Sequence, residues 1–97
     1  MMVNLNNMQD ARADLSWDYY RSFLAVMRSG SLLSAAKTLE LAQPTIGRHI
    51  NGLEKALGAA LFIRSGAGLA PTPLAFEVRS HAESMEIADL KSPIGDP

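Results

Sequence analysis

Residues 43–58 limit the fold more tightly than any other stretch of the chain. Ile46, Ile50, Leu53 and Leu57 recur at i, i+4, i+7 and i+11, which keeps them within about 60° of arc on an α-helix. Pro44 suits the first turn, where its missing N–H costs nothing, and Gly58 suits the end. The opposite side carries Pro44, Arg48, Asn51, Gly52 and Lys55, with Thr45 and His49 on its flank. Such a helix needs a core on one side and presents short polar or cationic groups on the other.

Two more helices are expected before it. Tyr20, Phe23, Leu24 and Met27 give residues 17–29 one apolar face, with Ser16 as cap, Asp18 in the first turn and Gly30 as the stop. Ser31 then caps a shorter helix whose inner face is Leu32, Ala35, Ala36 and Leu39, and Leu41 and Ala42 make a tight turn into the third. The small Ala35–Ala36 pair invites close approach by another helix.

Past Gly58 the pattern changes. Residues 60–64 are short, apolar and strand-like, residues 65–68 (Ser-Gly-Ala-Gly) read as a four-residue turn, and residues 69–72 return as a second strand. Thr72 caps a fourth helix opened by Pro73, along which Leu74, Val78, Ala82 and Met85 form a stripe. The expected division is a flexible extension over 1–16, a compact domain over 17–72, a linker helix over 73–90 and a disordered tail over 91–97.

Charge matters by its distribution. The formal net charge is −1, which argues against nucleic acid, since phosphates are neutralised by Lys and Arg. Between residues 17 and 81, however, seven Lys/Arg face four acids, a local balance of +3, and the acids concentrate at the ends. Cysteine is absent, which removes disulfides, thiolate metal sites and cysteine nucleophiles. His49 and His81 have no second ligand at useful spacing, so no metal is expected. No apolar run reaches the roughly 18–20 residues of a membrane span, and residues 1–16 do not read as a signal peptide. A cytoplasmic protein without cofactor, catalytic constellation or membrane partner is the expectation.

The order helix, helix, tight turn, helix, hairpin, helix describes a mainly α fold: a three-helix core containing a helix-turn-helix, a two-stranded wing, and a C-terminal linker helix. A helix with an open polar face fits the DNA major groove, and a Gly-rich hairpin beside it makes a wing.

The chain resembles the N-terminal domain of LysR-type transcriptional regulators. Phe23, Gly30-Ser31, Ala35-Ala36, Leu39, Gln43-Pro44, Ile50, Leu53-Glu54, Leu57-Gly58, Leu61-Phe62, Arg64 and Thr72 carry the resemblance in ungapped order over residues 17–85. It implies a homodimeric, sequence-specific binder of double-stranded DNA, with the third helix in the major groove, the wing near a minor groove and the fourth helix paired with its copy. It assigns groove contacts to Gln43, Pro44, Thr45, Arg48 and His49, and a wing contact to Arg64. Arg48 suits a bidentate pair with guanine, Gln43 suits adenine or a phosphate, and Pro44 with the Thr45 methyl suits thymine. Ser31, Ser34 and Lys37 are candidate phosphate contacts. Asn51 and Lys55 complete the open face. Leu74, Val78, Ala82 and Met85 are the expected dimer seam, the alternative being that this stripe folds back on its own domain.

The sequence departs from the family at Gly47 and Ala42, both usually serine, at Pro71 and Ala75 after the wing, and in a less basic wing tip. The effector-binding domain of such regulators has no counterpart in these residues, so no small-molecule effector is expected here. Blander readings stand beside these. Arg48 and Lys55 also fit a plain solvated face, and Arg64 also fits an ion pair with Glu54 or Glu77. Another class of function is a winged-helix dimerisation or protein-interaction module with weak or no DNA binding. Salt-dependent retention on DNA separates the two.

Overall fold

Local rules set the boundaries of every element. The computed structural model describes residues 17–66 and 68–90; the expectations for residues 1–16 (the Ser16 cap included), for Ala67 and for residues 91–97 lie outside them. Helix α1 (Trp17–Ser29) stops at Gly30, whose φ of 83° belongs to the left-handed region. Its N–H donates to the Val26 carbonyl at 2.8 Å. Ser31 then starts α2 (Leu32–Leu39) by accepting a hydrogen bond from Ser34 N–H on its hydroxyl oxygen at 3.0 Å. At the far end Glu40 sits at φ 58° and ψ 44°, a left-handed conformation that costs a residue bearing a Cβ about 1–2 kcal/mol. Helix α3 (Gln43–Leu57) has Pro44 in its first turn and ends at Gly58, φ 73°.

The wing is an antiparallel pair, β1 (Phe62–Ser65) and β2 (Gly68–Pro71), in the register Phe62↔Pro71, Ile63↔Ala70, Arg64↔Leu69 and Ser65↔Gly68. Pairing therefore runs one step further toward the tip than the four-residue turn expected from sequence. The Ser65 hydroxyl reinforces that last step by donating to the Gly68 carbonyl at 3.2 Å. The foot of the wing is tied twice. The Glu54 carboxylate on α3 accepts from Leu61 N–H at 2.7 Å and from Phe62 N–H at 3.4 Å. The Thr72 hydroxyl donates to the Ala60 carbonyl at 2.8 Å and accepts from Ala75 N–H at 3.3 Å, which makes it the N-cap of α4 (Pro73–Leu90).

Helix α1 is the hub and touches α2, α3 and α4. It buries Tyr20, Phe23, Leu24 and Val26, and also Ser22, while Met27 packs only partly against the core. Around it stand Ala35 and Ala36 of α2, the whole Ile46–Ile50–Leu53–Leu57 stripe of α3, and Leu61. The two alanines let α2 approach closely, as their size suggests.

The fourth helix corrects the sequence reading. Val78 and Ala82, expected at a dimer seam, are fully buried (0% exposed) within this chain's own core together with Ala75, and Leu74 and Met85 pack partly against the same cluster. Small side chains at 75 and 82 let α4 lie down on α1, where the rings of Tyr20 and His81 meet edge to face, centroids 6.3 Å apart. The periodicity located the apolar side of α4 correctly, but what covers it is α1. Among the described residues, the large apolar groups α4 leaves exposed are Phe76 and Ile87, and their eleven-residue separation returns them to one side, opposite the buried stripe.

A fork of hydrogen bonds closes the α1–α4 contact. The Arg28 guanidinium donates to both Glu86 carboxylate oxygens at 3.0 and 2.8 Å, with Glu83 at 3.7 Å. Hydrogen bonding from Arg28 holds the Glu86 carboxyl below its ordinary range, against some desolvation. A carboxylate with a depressed pKa stabilises the fold above its ordinary pKa and loses that contribution as pH falls. Because the pair is largely exposed, Arg28→Ala is expected to cost about 0.5–1 kcal/mol at neutral pH. That deficit should shrink as pH falls through and below the ordinary glutamate range, as Glu86 takes up a proton. Melting curves at neutral and acidic pH measure it. A deficit independent of pH would show that the arginine acts through its aliphatic stem instead.

Candidate nucleic-acid interface

Helix α3 turns its polar side away from the core, and the wing stands beside it. Gln43, Pro44, Arg48, Asn51 and Lys55 are exposed, as are Ser34 and Lys37 on α2 and Arg64 on β1. Ser31, Thr45 and His49 are half-buried.

Two adjoining clefts lie between α2, α3 and the wing. The larger, about 280 Å³, brings Ser31 and Gln43 opposite Arg64, with Gly30, Leu32, Leu33, Ser65, Gly68 and Leu69 completing it. The smaller, about 140 Å³, brings Asn51 opposite Arg64 and has Gly47 and Glu54 in its wall. Thus Ser31, Gln43, Asn51 and Arg64, spread between positions 31 and 64, line two clefts that share Arg64. The Ser31 hydroxyl oxygen is engaged as the α2 cap, which leaves its proton to donate outward. Lys37 and Lys55 are exposed in the last turns of their helices, where cations complement the helix dipole. Neither lines a cleft, so their reach to this surface rests on their length.

Arg48 lies back along its own helix, its Nη2 donating to the Thr45 hydroxyl at 3.2 Å. This pins part of a long side chain on the open face and leaves other guanidinium N–H groups outward. The ion pair weighed for Arg64 and Glu54 does not form; Glu54 Oε2 instead accepts from two backbone N–H groups at the foot of the wing. Arg64 makes no ion pair among the described residues.

His49 has contacts within the fold that its assignment as a groove contact did not include. Its ring faces α1, with its centroid 4.7 Å from that of Tyr19 at a 30° tilt. Its Nδ1 lies 2.7 Å from the hydroxyl oxygen of buried Ser22. Gly52, read as part of the outward face, is likewise under α1: a Cβ there would lie 2.5 Å from Tyr19 Cε2. Glycine carries no polarity signal, so its sequence position alone did not reveal the close approach.

Sequence reasoning passed over Leu33 and Ser65. Leu33 is 52% exposed at the cleft mouth, and an apolar residue on the outward side of α2 was the available signal. No group of three or more His, Cys, Asp or Glu among the described residues is placed to hold a metal ion. No helix among them is long and apolar enough to cross a membrane.

Comparison with known proteins joins this geometry to a family. The model described as "Bacterial regulatory helix-turn-helix protein, lysR family" matches residues 17–75. A putative HTH-type transcriptional regulator protein, PtxE of Stutzerimonas stutzeri, is 39% identical over 67 residues, 69% of this chain and 34% of that protein. The HTH-type transcriptional regulator TdcA of Escherichia coli is 41% identical over 63 residues, 65% of this chain and 20% of that one. The chain thus spans about a third or less of the length of these relatives. Among solved structures, the CbnR DNA-binding domain in a DNA complex matches with a TM-score of 0.72 at 32% identity, over 84% of this chain and 92% of that one. The BenM DNA-binding domain with catB site 1 DNA matches with a TM-score of 0.72 at 26% identity, over 86% and 99%. The three-helix core, wing and fourth helix are those of the winged helix-turn-helix domains in this group, and the chain belongs to the lysR family of bacterial regulatory helix-turn-helix proteins.

Proposed function

We propose that this chain is a sequence-selective reader of double-stranded DNA that regulates transcription as a homodimer. In this reading α3 enters the major groove, the wing reaches the neighbouring minor groove, and α4 pairs with its copy. The observation that carries it is the open polar face of α3, with Arg48 pinned to Thr45 and Arg64 across the clefts from Gln43 and Asn51. An α-helix fits the major groove, and arginine there pairs with guanine through two hydrogen bonds. Membership of a regulator family and likeness to two DNA-bound domains support it. Ser31, Ser34 and Lys37 are proposed to hold phosphates, which position the protein without reading sequence. The proposed dimer seam is the outward side of α4, with Phe76 and Ile87 as its anchors. A two-fold pair reads a palindromic site.

The test is binding to a random duplex and to a promoter library as a function of salt. Palindromic sites are expected to be enriched, with an affinity that falls steeply as salt rises. Arg48→Ala is expected to lose about ten- to hundredfold of the preference for the selected site, the worth of one bidentate contact. Arg64→Ala should weaken all sequences alike and lower the salt slope by about one. A folded chain that binds no duplex at about 50 mM salt would overturn the proposal. It would leave a protein-interaction module, the reading that exposed Leu33 and Leu41 favour.

A further inference from the structure

Helices α1 and α3 meet through two interlocking pairs, each spaced i, i+3. From α1 come Tyr19 and Ser22; from α3 come His49 and Gly52. The Tyr19 ring rests on Gly52 so closely that a Cβ there would approach Cε2 to 2.5 Å and Cδ2 to 3.1 Å. The same ring lies against the His49 imidazole. Ser22, fully buried, meets His49 Nδ1 at 2.7 Å, a hydrogen bond whose donor depends on which ring nitrogen carries the proton.

Apolar stripes alone are tolerant of rotation, because burial is non-directional. The Ile46–Ile50–Leu53–Leu57 stripe fixes which side of α3 faces inward, but lets the helix turn by several degrees about its axis. A short hydrogen bond to a buried hydroxyl is directional, and a ring seated on a glycine fixes the axial register. Both lie on the flank of α3 that borders the open face, with Thr45 one turn before His49 and Arg48 next to it in sequence.

We propose that Tyr19, Ser22, His49 and Gly52 form a lock that sets the rotation of α3 about its own axis, and so determines which base pairs Thr45 and Arg48 reach. His49 and Ser22 are positioning residues for sequence readout, and neither touches DNA in this role. The proposal rests on the DNA-reading function above.

Ser22→Ala tests it, because a residue with no exposed surface cannot act as a base contact. The measurement is the ratio of affinities for the site selected by the parent chain and for a random duplex, with folding monitored by circular dichroism and melting. Ser22→Ala is expected to lower that ratio about tenfold, since a misaimed arginine loses much of its bidentate discrimination. Random-duplex affinity and its salt slope should stay as in the parent. His49→Phe keeps a ring against Tyr19 but loses Nδ1; it should lower the ratio similarly, and the double variant should lower it no further. Four results overturn the lock: both variants keeping the parent's ratio, His49→Phe alone lowering it, additive losses in the double variant, or both affinities falling in step with the folded fraction. In each case DNA reading by the parent stands. A parent that does not select any site overturns the DNA reading itself, and the lock with it.

Discussion

Val78→Asp is expected to unfold the domain, and to do so at every protein concentration. Val78 is fully buried beside Ala75 and Ala82, facing α1. The substitution removes an apolar side chain worth about 1.5–3 kcal/mol of burial. It also strands a carboxylate in the core, and an unpaired buried charge costs several kcal/mol more. A domain of this size has about 5–15 kcal/mol of total stability, so the folded state is lost or becomes marginal. Had Val78 lain at a seam between subunits, the same change would give a folded monomer. Phe76→Asp is the matching control, since Phe76 is 47% exposed on the other side of α4. It should leave the melting temperature nearly unchanged while weakening self-association. Circular dichroism and sedimentation of the two variants separate the cases. A folded, monomeric Val78→Asp would return the Leu74–Val78–Ala82–Met85 stripe to the dimer interface.

Two glycines on α3 should respond to alanine in opposite directions. At Gly47 a Cβ meets nothing within 4 Å, so Gly47→Ala gains only the helix propensity of alanine and should stabilise by up to about 1 kcal/mol. At Gly52 the Cβ collides with the Tyr19 ring. The ring is stiff and has His49 against it, so it cannot simply swing aside. Overpacking of this kind costs about 1–3 kcal/mol, which outweighs the propensity gain. The melting temperature should therefore rise for Gly47→Ala and fall for Gly52→Ala. A rise in both would mean that Tyr19 moves freely and that the α1–α3 contact is loose at that end.

These two cases also show how far the sequence could be read. Helix α3 was legible because its apolar period is strict and both ends are marked, by Pro44 and Gly58. Thr72 as cap and Ser31 as cap were legible because each has a hydroxyl directly before a helix. The side of α4 that carries Val78 and Ala82 was legible too, but not its partner. Amphipathic periodicity says that a face must be covered and is silent on whether the cover is the same chain or another. The turn of the wing was read as four residues because Ser, Gly and Ala carry little strand signal, whereas the ladder extends to Ser65↔Gly68. Gly52 was read as outward, and the contact of His49 with α1 went unread, for a common reason. They lie on the border of the polar face, where a few tens of degrees decide between solvent and α1, and only the opposing Tyr19 and Ser22 settle it.

The Arg28–Glu86 fork has a consequence for the proposed dimer. Together with buried Val78 and Ala82, it holds α4 against the core. The helix that would join two copies is therefore a fixed outrigger of the reading head and not a loose tether. In the proposed dimer two such heads back to back would behave as a calliper with a set jaw opening, so that a few base pairs inserted between half-sites would not be absorbed by the protein. The tolerated separations then follow the DNA's own repeat of about 10–10.5 base pairs, and intermediate ones must be met by bending the duplex.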